Sequence, residues 1–110
     1  MTKPQIRILI VEDDLVDRMA CYRALARDPD HEFVMFEAET GRQGLQEAHA
    51  QKPDCVLLDY HLPDLNGLEF LAEFRNSLDE SPVPVIMLTG ADTASVALAA
   101  MKRGAQDYLV

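Results

Sequence analysis

Long apolar runs are missing from this chain. No stretch approaches the roughly 20 residues of a membrane span, and the N-terminus lacks the apolar segment of a secretory signal. Cysteine is scarce: Cys21 and Cys55 are the two, too few and too far apart for a disulfide framework or a C-x-x-C redox motif. Both read as reduced, small core residues, consistent with the cytoplasm. The three histidines, His31, His49 and His61, show no helical metal-ligand spacing, which argues against a histidine-based zinc site, and they read as surface or edge histidines. Basic residues are outnumbered, 10 Lys and Arg against 19 Asp and Glu, for a net charge of −9. The sequence-independent attraction to nucleic acid phosphates is therefore absent, and DNA binding would have to come from another domain or a partner. No Gly-rich strand-to-helix turn is present, which excludes a P-loop or dinucleotide site. Nor is there an internal repeat, a low-complexity tract or a linker.

What the chain does have is 110 residues, enough for one domain with a single core, and short apolar runs alternating with helical patterns. Strands are expected at Ile6–Val11, Glu32–Ala38, Cys55–Asp59, Val83–Thr89 and Asp107–Val110, the second at an edge because of its charges. Helices are expected at about Leu15 to Ala26, Gly41 to Ala50, Leu68 to Asn76 and Thr93 to Arg103. Asp14 and Thr40 serve as N-caps, Asp28-Pro29-Asp30 as a break and Gly104 as a C-terminal stop. The first helix should bury Val16, Ala20, Cys21, Ala24 and Leu25, and the third Leu68, Leu71 and Ala72. Strict alternation of strand and helix implies an α/β fold with a parallel sheet.

In such a sheet the carboxyl ends of the strands share one edge, where ligands bind. Glu12 and Asp13 follow the first strand, Asp59 ends the third and Thr89 ends the fourth, so three carboxylates and a hydroxyl should converge. Two unit charges about 4 Å apart repel by roughly 4 kcal/mol at an effective dielectric near 20. Either one carboxylate takes a proton or a cation sits between them. With oxygen ligands throughout, Mg²⁺ is the natural cation and Mn²⁺ would also fit. A cation beside Asp59 makes sense if Asp59 accepts a phosphoryl group. Each element alone has a plainer explanation, an acidic capping turn or a structural Thr-Gly turn. Their occurrence together, in this order, carries the weight.

Four stretches carry a resemblance. They are Ile8-Leu9-Ile10-Val11-Glu12-Asp13-Asp14, Leu57-Leu58-Asp59-Tyr60-His61-Leu62-Pro63-Asp64-Leu65-Asn66-Gly67, Val85-Ile86-Met87-Leu88-Thr89-Gly90 and Gly104-Ala105-Gln106-Asp107-Tyr108-Leu109. The chain resembles the receiver domain of two-component response regulators over essentially its whole length, residues 1–110. The resemblance implies a flavodoxin-like, doubly wound five-stranded parallel sheet of order 2-1-3-4-5. It implies Asp59 as phosphoacceptor, Glu12 and Asp13 as the acidic pair (Asp13 binding the metal directly, Glu12 through water), and the backbone carbonyl of His61 as a further metal ligand. Thr89 would be the switch hydroxyl and Tyr108 the switch aromatic, with Asp14 a cap. The implied partner is a sensor histidine kinase or histidine phosphotransfer protein, and the implied output is a changed surface on the fourth helix and fifth strand.

The match departs from the family at its end. Receivers carry a lysine shortly after the switch aromatic, whereas Lys102 lies in the fourth helix and the sequence ends at Val110, inside an expected strand. We expect a receiver cut from a longer protein; a shortened receiver with impaired switching is the other reading. Without a fifth helix, one sheet face should expose an apolar patch, so a homodimer through that face or through the fourth-helix and fifth-strand surface is expected, or lowered stability. Two further readings compete with a phosphoacceptor module that turns over no external substrate. A Mg²⁺-dependent phosphatase would need D-x-D, and here His61 stands at the third position. A phosphorylation-independent pseudo-receiver used for protein binding is disfavoured by Glu12, Asp13, Asp59 and Thr89.

Overall fold

A computed structural model describes residues 4–59, 61–77, 83–88 and 107–109. Strand β1 (Gln5–Val11) leads to helix α1 (Leu15–Ala26), β2 (Glu32–Ala38), α2 (Gly41–Gln51), β3 (Cys55–Asp59), α3 (Gly67–Ser77), β4 (Val85–Leu88) and β5 (Asp107–Leu109). All pairings are parallel, in the order β2-β1-β3-β4-β5. The charged strand β2 is an edge strand, as its composition suggests. The fourth helix expected over Thr93 to Arg103, its stop at Gly104 and the hydroxyl of Thr89 lie outside the described residues. The backbone of Tyr108 pairs with Ile86.

Continuous apolar runs form the central strands because both faces of the sheet are covered. Alternate residues serve opposite layers. Ile8, Ile10, Cys55, Leu57, Ile86 and Leu88 pack with Cys21, Ala24 and Leu25 of α1. Leu9, Val11, Val56, Leu58, Val85 and Met87 pack with Ala48 of α2 and Phe70 and Phe74 of α3. Ile86 and Leu88 of β4 are buried on the α1 face; the exposure of the β5 side chains beside them lies outside the described residues. Among the described residues, the exposed large apolar side chains are Leu15, Val16, Met19 and Leu68, all on helices. Cys21 and Cys55 are both buried free thiols.

The helix ends follow their caps. Asp14 accepts hydrogen bonds from the Val16 and Asp17 amides at 2.8 and 3.1 Å, and Thr40 accepts from Gln43 at 3.0 Å. At α3, Asn66 and Glu69 satisfy each other's backbone amides reciprocally, starting the helix at Gly67, one residue before the expected Leu68. The break after α1 is closed by Asp28, which accepts from the Asp30 amide at 2.9 Å. Strand β4 starts at Val85 rather than Val83, since Pro84 has no amide to donate to a ladder.

Two helix faces differ from expectation. On α1, Val16 is 71% exposed, and the inward positions are Arg18, Cys21, Ala24 and Leu25. On α3, Leu68 is 53% exposed while Phe70 and Phe74 are buried, four residues apart on one face. In both helices the sheet and neighbouring helices select the inward stripe, and the larger rings displace the leucine.

Helix α2 comes so close to β1 that a Cβ on Gly44 would lie 2.8 Å from Val11 Cγ2 and 3.0 Å from Phe70 Cε2. Both neighbours are buried and cannot retreat. Gly44→Ala should therefore lower stability by up to about 2 kcal/mol, the overpacking cost of about 1–3 kcal/mol less the helix-propensity gain of about 1 kcal/mol. Urea denaturation would read this, and a rise in midpoint would refute the close approach.

Candidate functional site

The strand order places β1 between β2 and β3, so successive connections leave β1 and β3 in opposite directions and open a crevice at their carboxyl ends. Glu12 and Asp13 directly follow β1, and Asp59 is the last residue of β3. Each of the three offers a carboxylate oxygen within 4.8 Å of the others'. Glu12 is buried at 3% exposure, Asp59 is half-buried and Asp13 is exposed. The trio therefore runs from the sheet's interior out to solvent.

Glu12 is held firmly. Its amide donates to the Ala38 carbonyl at 2.9 Å, carrying the β1–β2 pairing one residue past the strand. Its carbonyl accepts from Arg18 Nη1 at 2.7 Å, and its Oε1 accepts from the Asp14 amide at 3.2 Å. Burial pushes the Glu12 carboxyl up to about 8, helped by a hydrogen bond to Asp59 and by the Asp59 charge, with the Asp14 amide opposing. A buried carboxyl raised in this way beside two further carboxylates is a place where a positive charge would be stabilising. The donor set, three carboxylates, suits a hard divalent cation such as Mg²⁺ or Mn²⁺. The residues fit such an ion.

The loop after β3 is anchored to α2. His61 and Asn66 form an isolated antiparallel bridge, and Asp64 accepts from the Gly41 and Arg42 amides at 2.7 and 2.9 Å. Desolvation pushes the Asp64 carboxyl up, but the amides of Arg42 and Gly41, with its own and that of Leu65, win and hold it below the usual range. Leu65 is buried where a Cβ on Gly41 would meet it at 2.8 Å, and Arg42 Nη1 reaches Glu73 of α3 at 2.6 Å. These contacts fix the backbone that follows His61, whose side chain is exposed.

Glu12, Asp13 and Asp59 thus come together as expected, and His61 lies two residues beyond Asp59. Thr89 lies outside the described residues, and Tyr108 is placed by its backbone on β5. Arg18 and Asp64 escaped the sequence reading. A lone arginine three residues before Cys21, on an otherwise apolar face, was the available signal for the first. Nothing local signals the second, whose partners lie 22 and 23 residues away.

An open parallel sheet with a carboxylate trio at its switch point is suited to holding a cation at the crevice. The family model described as the response regulator receiver domain matches residues 8–110. The transcriptional regulatory protein KdpE of the KDP operon, from Escherichia coli (strain K12), is 43% identical over 102 residues, which are 93% of this chain and 43% of that protein. A putative response regulator from Chloroflexus aurantiacus J-10-fl superimposes with a TM-score of 0.71 at 28% identity, covering 97% of this chain and 84% of that one. The Mn²⁺-bound form of response regulator Rcp1 gives 0.61 at 28%, covering 96% and 80%. The chain belongs to the response regulator receiver domain family, the signalling modules of two-component systems. It spans less than half the length of KdpE.

The raised Glu12 carboxyl carries a sign. With a folded value near 8 against 4.5 for the free group, the folded state holds more protons between those limits, so stability should fall as pH rises from about 4.5 to 8. In EDTA, the parent should lose stability across that window relative to Glu12→Gln. At pH 7, Mg²⁺ binding should release close to one proton, readable by calorimetry in buffers of different ionisation enthalpy. A flat difference between parent and variant, with no proton release, would contradict the geometry.

Proposed function

We propose that this domain accepts a phosphoryl group on Asp59 from a phosphohistidine on a sensor histidine kinase or phosphotransfer protein. A carboxylate oxygen of Asp59 attacks phosphorus, the N–P bond breaks, and its electron pair returns to the imidazole, which takes a proton from solvent. The product is an aspartyl-phosphate. The carrying observation is the half-buried Asp59 carboxylate at the end of β3, within 4.8 Å of two further carboxylates, close enough for one cation to reach all three. Asp13, Asp59 and the His61 carbonyl would hold Mg²⁺ directly, and Glu12 through water. When bound, Mg²⁺ neutralises charge on the transferring phosphoryl oxygens.

The chain's own residues do the rest. Burial of Glu12 and the fixed loop after Asp59 keep the acceptor oxygen oriented and limit the solvent that must reorganise around it. Thr89, next after β4, donates to the new phosphoryl group, and Tyr108 follows its displacement, changing the surface near β5 that a partner reads. This is a local charge change biasing a two-state element. A net charge of −9 leaves nucleic acid recognition to other parts of an assembly. Among the described residues no helix is long and apolar enough to cross a membrane.

Intact mass after incubation with acetyl phosphate tests this. A single phosphoryl adduct is expected with Mg²⁺, none with EDTA and none for Asp59→Asn. An adduct that survives Asp59→Asn, or its absence from the parent, would overturn the assignment.

A further inference from the structure

We propose that Arg18 is a positioning residue for the acidic site, setting the divalent-cation affinity of Glu12 and Asp13 by clamping the peptide that joins them. The inference rests on the reading of Glu12, Asp13 and Asp59 as a cation site.

Arg18 is 7% exposed, on the inward stripe of α1. Burying a guanidinium is costly unless its donors find partners, so its contacts show what keeps it there. Nη1 donates to the Glu12 carbonyl at 2.7 Å in a buried bond. Nε lies 3.2 Å from Glu37 Oε1 without the alignment of a hydrogen bond, and Nη2 lies 3.7 Å from Glu39 Oε1. Those two glutamates have side chains 47% and 67% exposed, so solvent screens their ends of these contacts, unlike the buried bond to the carbonyl. The short contact to the carbonyl is the specific one.

That carbonyl belongs to the Glu12–Asp13 peptide. The preceding peptide is fixed by the Glu12 amide on Ala38. Holding both peptides leaves the Glu12 carboxyl only its side-chain torsions, with one oxygen already steadied by the Asp14 amide. The same plane directs the chain into Asp13. Arg18 contacts the Glu12 carbonyl, Glu37 and Glu39 rather than the Glu12 or Asp13 carboxylate, yet it constrains the backbone of both. Groups that orient metal ligands typically change metal affinity by about 10- to 100-fold when removed.

The test compares the parent with Arg18→Met, which keeps the apolar stem, and Arg18→Lys, which keeps one donor and the charge. Mg²⁺ affinity is measured by calorimetry without phosphodonor, at a temperature well below each unfolding midpoint in EDTA. Arg18→Met should bind Mg²⁺ about 10-fold more weakly, with Arg18→Lys in between, and saturating Mg²⁺ should restore acetyl phosphate labelling. A residue that only stabilises the fold would lower the midpoint and leave the affinity alone. Either folded variant matching the parent's affinity, while the parent binds Mg²⁺, overturns the proposal by itself. A parent that binds no Mg²⁺ overturns the underlying cation-site reading, and this proposal with it. Should Arg18→Met not fold, Arg18→Lys decides between the same two outcomes.

Discussion

Glu12 and Asp59 stand at the ends of adjacent parallel strands, close enough to share a proton, and much of the surrounding structure contains that repulsion. Placing one of them at 3% exposure raises the cost of charging it and makes the pocket receptive to a cation. A fully solvated pair would be screened and indifferent. A pair buried on both sides would simply keep its proton. The graded exposure from buried Glu12 through half-buried Asp59 to exposed Asp13 lies between these extremes, giving solvent access on one side of the trio and a desolvated carboxyl on the other.

Holding them there takes bonds from every neighbouring layer. The edge strand contributes the Ala38 carbonyl, α1 contributes Arg18 and its Asp14 cap, and α2 holds the loop after Asp59 through Asp64. Each is a hydrogen bond to backbone or to a charged group, where geometry is less forgiving than in apolar contact. The two apolar layers set the spacing of the elements, and these polar bonds set the orientation of the site.

The difference between those roles explains what could be read from sequence. Runs such as Ile8–Val11 and Cys55–Leu58 signal buried parallel strands because every position is apolar, and the carboxylates that terminate them inherit their location from the strand ends. Asp14 and Thr40 announce their helices because a cap is a local bond. The rotation of a helix about its axis is not local. Val16 and Leu68 are apolar enough to seem buried, yet the sheet takes Cys21 and Leu25 from one helix and Phe70 and Phe74 from the other. Asp64 looks like a turn former and in fact caps a helix 22 and 23 residues earlier in the chain. Arg18 looks like a solvent-facing charge until its partner, a main-chain carbonyl, is known. Side-chain to main-chain bonds of this kind leave no pattern in composition or periodicity.

The alternation within β1 constrains how such a chain can change in length. Ile8 and Ile10 belong to one layer, Leu9 and Val11 to the other, all without solvent exposure, and Glu12 follows without an intervening residue. Inserting or deleting one residue there would exchange the two layers and turn the acidic pair away from Asp59 in the same step. The turn at Asp28–Asp30, at the opposite end of the sheet, carries no such double duty. Variation in length should collect at that end, while the strand leading to the carboxylates keeps its register.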